Sequence, residues 1–140
     1  MTLLDSDTFT LLGYDRPGMA EKLTRARAAS VVALPVFVRA QALRGRLDGL
    51  LKANTTDDVL RLQALLTDVE IRLAEYPVIP FDAAGGGHFT RLRTLKVVRS
   101  VGLADLLIAA IALAQDATLV TRNTKDFQPI PGLKLENWAD

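Results

Sequence analysis

Val101-Gly102-Leu103-Ala104-Asp105-Leu106-Leu107-Ile108-Ala109-Ala110-Ile111-Ala112-Leu113-Ala114 is the stretch on which the fold turns, fourteen residues with a single charge. It is shorter than the roughly 20 apolar residues a bilayer span requires. It therefore predicts a helix over Gly102 to Ala114 that is buried in a protein core. Directly after it, Thr118 to Thr121 reads as a strand and Asn123 to Phe127 as a short helical turn. Pro129 and Pro131 mark a loop, and Leu133 to Trp138 reads as a last strand.

The same alternation runs back to the start. Thr2 to Leu4 is a short apolar strand ending at Asp5, with Ser6, Asp7 and Thr8 offering caps for a helix through Leu12 that closes at Gly13. Residues 19 to 29 are helical by composition, Ser30 to Leu34 a second strand, and Pro35 suits the first turn of the next helix. There Val36, Ala40, Leu43, Leu47 and Leu50 form an apolar stripe flanked by Gln41 and Arg44. Asn54 to Asp58 caps a long helix carrying Val59, Leu62, Leu66, Val69 and Leu73, which stops before Pro77. Val78 to Phe81 is a brief strand, followed by Gly85-Gly86-Gly87 and a helical segment through Leu92 and Leu95. The glycines lack the Lys-Ser/Thr that a phosphate-cradling loop needs. Short apolar strands alternating with helices predict an α/β fold with a mainly parallel sheet, in one domain spanning 1–140.

With no cysteine and one histidine, His88, thiol catalysis and a multi-histidine zinc site are excluded. His88 has no nucleophile beside it and reads as a surface or groove residue. The N-terminus has no signal-peptide pattern, so a soluble, cytoplasmic protein is expected. Net charge is +1, but it conceals segregation. Residues 16 to 46 hold seven Lys/Arg against the single acid Glu21, and residues 91 to 99 hold four against none. Grouped in space, such cations could hold a phosphodiester backbone. Of the sixteen acids twelve are Asp, a residue that favours caps, turns and metal sites over helix interiors.

Two aspartates stand out. Asp5 follows the first strand, at the end where open parallel sheets bind ligands; a helix cap is an equal alternative. Asp105 is the lone charge of the buried helix. Its burial costs several kcal/mol unless a cation or donors compensate, and first-turn backbone N–H groups would be one compensation. Asn123 and Asp126, like Asp7, also suit turns and caps.

These pieces resemble the PIN-domain ribonucleases, and most closely the VapC-type toxins of toxin–antitoxin pairs. Leu3-Leu4-Asp5-Ser6-Asp7 is similar to the family's strand and Asp-Thr-Asn, and Gly102 to Ala110 to its signature helix. Ala117 to Phe127 and Pro131 to Trp138 are similar to its ending. The resemblance implies a three-layer α/β/α fold with a central sheet of four to five strands. It also implies a pocket in which acids hold Mg2+ or Mn2+ to activate water against an RNA phosphodiester. Asp5 and Asp105 match the metal ligands, while Gln41 stands where the family has Glu and Asn123 where it has Asp or Asn. The expected catalytic set is Asp5, Asp105, Gln41 and Asn123, with Asp7 and Asp126 accessory. Gln41 can offer a carbonyl oxygen but no charge, so weakened metal affinity and activity are expected. Arg44, Arg91, Arg93 and Arg122 are the expected RNA-binding cations. The implied partners are a VapB-like antitoxin, RNA and a second copy in a homodimer that forms a hetero-oligomer with the antitoxin. Phe9, Leu11, Leu12 and Tyr14 are candidates for either docking surface or core. A PIN domain that binds antitoxin or RNA without efficient cleavage is the alternative, motivated by Gln41.

Overall fold

A computed structural model describes all 140 residues. The first half runs β1 (Thr2–Leu4), α1 (Ser6–Leu12), α2 (Met19–Ala29), β2 (Val32–Pro35), α3 (Val36–Leu50), α4 (Thr56–Leu73) and β3 (Val78–Ile79). Next come α5 (Ala83–Arg93), a 3-10 turn at Lys96–Val98, α6 (Leu103–Ala114), β4 (Thr118–Val120), α7 (Thr124–Phe127) and β5 (Lys134–Glu136). The five strands form one sheet in the order β3-β2-β1-β4-β5, and every pairing is parallel. Thr2 stands beside Val32 on one side and Thr118 on the other.

On the central strands neighbouring residues point to opposite faces, yet Leu3, Leu4, Leu119 and Val120 are all fully buried. Both faces of the sheet are therefore covered, which is the three-layer α/β/α arrangement. Within α6, Ile108, Ala109, Ile111 and Ala112 join the same core, as the apolar stretch around Asp105 requires.

Several boundaries differ from the sequence expectation. Asp5 itself caps α1 through its side chain, so Ser6, Asp7 and Thr8 lie inside the first turn. Ser30 is spent ending α2 and β2 starts at Val32; Pro35 closes that strand at φ −57°, ψ 143° instead of opening α3. Pro80 limits β3 to two residues, since proline brings no ladder N–H. β5 ends at Glu136 because Asn137 turns the chain by accepting the N–H groups of Ala139 and Asp140. The predicted α3 stripe is displaced: Val38 is buried, while Ala40 and Leu47 are exposed. α3 packs chiefly against α4.

Gly85-Gly86-Gly87 lies inside α5, whose N-terminus is filled by the protein's own Asp82 carboxylate on Gly85 N–H at 3.0 Å. Gly85 packs beside Phe81. The Phe81 ring bridges Phe37 and Phe89 with centroids 5.9 and 6.0 Å away, and a Cβ on Gly85 would already sit 3.4 Å from it. Around Gly87 there is open space. Gly87→Ala is therefore expected to stabilise the protein by roughly 0.5–1 kcal/mol through helix propensity, read as a higher Tm.

Candidate active site

The strand order makes a switch point. The chain leaves β1 for β2 on one side, while β4 lies on the other, so connections diverge at the carboxyl ends of β1 and β4. Parallel sheets bind ligands in the crevice this opens. Asp5 directly follows β1, and its N–H continues the ladder to Val120 O at 3.0 Å. Thr121 directly follows β4, and Asn123 lies just beyond it, ahead of α7.

Asp5 is a helix cap and also stands at the carboxyl end of β1. Oδ1 caps α1 by accepting Thr8 N–H at 2.9 Å, yet the residue is only 6% exposed and has no cationic partner. Burial pushes its carboxyl above the ordinary 3.8. The Thr121 hydroxyl and the Thr8 N–H pull it partly back, and the charge on Asp7 adds to the rise.

Asp105 sits in the first turn of α6, but it makes no hydrogen bond or ion pair, and no side chain caps that helix. Burial raises its pKa first, and then the charges of Asp126, Asp5 and Asp7. Asp105 thus feels acids brought to it from α7 and from the β1–α1 junction. Asp105 and Asp126 line one cleft of about 340 Å³ together with Lys125 and Ser100.

Both raised carboxyls bind protons more tightly in the folded chain. The stability linked to them is fully present below about 3.8 and is lost as pH rises through their folded values. Without metal, the natural protein should therefore gain stability on acidification relative to an Asp5→Asn, Asp105→Asn double variant. Paired melting curves from neutral pH towards pH 4 check this; parallel curves would contradict it.

Asn123 does not cap α7 with its side chain. Its amide instead donates to Asp7 Oδ2 across a long 3.4 Å, while its backbone N–H goes to the Thr121 hydroxyl at 2.9 Å. Gln41, exposed on α3, accepts the hydroxyl of Ser6 on its amide oxygen, which ties it to the residue after Asp5. No three acid or histidine side chains converge as a ready metal cage.

The four expected RNA-binding cations are dispersed. Arg44 pairs with Asp48 at 3.6 Å, and Arg122, beside Asn123, pairs with Asp140 at 3.8 Å. Arg91 contacts His88 and Arg93 lies over the Phe89 ring, both on their own helix. The cations lining the hollows next to the acids are Lys125, Arg46 and Arg72. Among the apolar docking candidates Phe9 is wholly core, Leu11 and Leu12 are half-buried, and Tyr14 is 60% exposed. Sequence reasoning missed Thr121 and Ser6. A fully buried Thr closing an apolar strand reads as ordinary β-propensity, and only its place after β4 hints at more.

A family model described as PIN domain matches residues 3–133. Over 72 residues the chain is 43% identical to "Ribonuclease VapC2" of Rickettsia felis, a match covering 50% of this chain and 54% of that protein. Over 76 residues it is 32% identical to "tRNA(fMet)-specific endonuclease VapC" of Shigella flexneri, covering 53% and 58%. The matches thus span little more than half of either relative. In structure the chain is similar to VapBC2 from Rickettsia felis bound to a DNA fragment from its promoter. The TM-score there is 0.78 at 28% identity, with 98% of each chain covered.

Proposed function

Because the chain belongs to the PIN domain family, we propose that it is a metal-dependent endoribonuclease, the toxin of a toxin–antitoxin pair. The observation that carries the reading is the pair Asp5 and Asp105, two carboxylates at the sheet's switch point with raised pKa values and no cationic partner.

Such a donor set fits a hard divalent cation, Mg2+ or Mn2+, which takes oxygen ligands and often only one or two carboxylates plus waters. Asp5 and Asp105 would hold it, with Asp7 and Asp126 adding negative charge and Asn123 and Gln41 neutral oxygens. When bound, the cation supplies the positive charge that lowers the pKa of an attacking water and offsets charge on the phosphodiester. The chain's own residues set the geometry. The Thr8 N–H holds the Asp5 carboxylate with the Thr121 hydroxyl close by, and the first turn of α6 presents Asp105. The acids also repel a phosphate at their own cleft while no metal is present, which makes entry of the scissile group there, though not contact with the rest of the surface, dependent on the cation.

Purified protein should cut RNA in Mg2+ or Mn2+, lose the activity with chelator and regain it when metal is restored. Cleavage indifferent to chelator would contradict the reading. The proposal extends to a VapB-like antitoxin as partner, a homodimer that enters a hetero-oligomer with it, and a cytoplasmic setting. No helix is long and apolar enough to cross a membrane. Gln41 and the missing three-acid cage favour one second reading, a domain that binds RNA or antitoxin with little cleavage.

A further inference from the structure

We propose that the groove between α1, α3 and α4 is a single-stranded RNA subsite, in which Arg46 and Arg72 take a phosphate and Tyr14 stacks a base. This rests on the ribonuclease reading and deepens it.

The groove measures about 260 Å³. Ser6 and Gln41 line the side next to the acids, joined by their hydrogen bond, so a strand leaving Asp5 crosses this wall first. No acid lines the groove, whereas Arg46 and Arg72 do, and neither has a carboxylate within ion-pair distance. The other hollow along α3 and α4 differs: it holds Arg39 together with Glu70, so its charges offset each other. Small residues, Ala42 and Gly45, leave the α3 wall low.

Arg72 is held in place. Its guanidinium lies 4.2 Å over the Phe9 ring and donates to the Phe9 carbonyl, close against Gly13. A Cβ on Gly13 would collide with that guanidinium. The missing side chain is therefore what lets the cation lie across the end of α1. Tyr14, the next residue, offers a 60% exposed ring at the same groove. Cations along a groove with an exposed ring are the parts by which proteins hold single strands, the ring accepting any base and the cations tracking the backbone. An apolar docking segment would meet two guanidinium groups with no paired carboxylate here, whereas a phosphate supplies the counter-charge.

The test is binding of a fluorescent 12-nucleotide RNA of mixed sequence in chelator, where no cleavage occurs. Tyr14→Ala and Arg46→Ala should each raise Kd about tenfold. Gly13→Ala should weaken binding as well with at most a small loss in Tm, because the added Cβ displaces the guanidinium from its place over Phe9 while the fold around it is kept. Arg46→Ala should also reduce the salt slope of log Kd by about 0.7, the value of one single-strand phosphate contact, and Tyr14→Ala should leave it unchanged. If the natural protein binds and cuts RNA while all three variants bind it equally well, the subsite is overturned and the ribonuclease reading stands. If the natural protein neither binds nor cuts RNA, both fall. Variants that keep RNA affinity but lose a purified antitoxin would make the groove a protein-docking site, overturning the proposal.

Discussion

Asp5→Asn is expected to reduce RNA cleavage by about a thousandfold while leaving the protein as stable as before, or more so. A metal-centred site gives up several kcal/mol of transition-state stabilisation when a ligand loses its charge, and about 4 kcal/mol corresponds to that factor. Stability moves the other way. Asn caps helices as well as Asp, so the bond to Thr8 N–H survives, and the charge that burial disfavours is gone. Asp5→Ala would confuse the two effects, because losing the cap costs about 1 kcal/mol by itself. Single-turnover cleavage measured beside a melting curve separates them. Activity within a few-fold of the natural protein would remove Asp5 from the machinery.

Gln41→Glu is expected to have the second largest effect, tightening Mn2+ binding about tenfold, or about 1.4 kcal/mol. The Ser6 hydroxyl that now donates to the amide oxygen can donate equally to a carboxylate, so the side chain keeps its place and gains charge. Cleavage at limiting metal should rise accordingly. The metal-free variant should be less stable than the natural protein, since one more acid joins Asp5, Asp7 and Asp105. Calorimetric titration with Mn2+ measures the affinity directly, and an unchanged Kd would place Gln41 outside the site. A natural chain that fails to cut RNA while Gln41→Glu cuts it would decide for binding as the native role.

What could be read from the sequence, and what could not, follows from range. Asp105 was legible because one charge among thirteen neutral residues is a desolvation problem visible without coordinates. Asp5 was legible as an acid ending a strand, and the cap among its two readings is what the structure has: one oxygen caps α1, and the carboxylate lies close enough to Asp7 and Asp105 to share their field. The α/β alternation was legible because strands and helices differ in period.

The missed features depend on partners far along the chain. Thr121 matters only because the sheet order sets β4 beside β1, and Ser6 only because α3 brings Gln41 to it. Arg72 lies 63 residues from the carbonyl it holds. The displaced α3 stripe has a similar origin: periodicity identified an amphipathic helix, but the residues it covers depend on α4 as well as on the sheet. Strand ends were overextended wherever a local hydrogen bond, such as those at Asn137, turned the chain first. The neutral charge total hid most, since exposed arginines such as Arg44 and Arg122 are paired with carboxylates while the half-buried Arg72 is held by the Phe9 ring and carbonyl with no carboxylate partner.

The most direct measurement is a crystal structure of the protein soaked in Mn2+, with anomalous diffraction collected to locate the ion. The account predicts a peak between the Asp5 and Asp105 carboxylates that disappears in Asp5→Asn. Absence of any peak there at saturating Mn2+, or a peak held only by other residues, would contradict it.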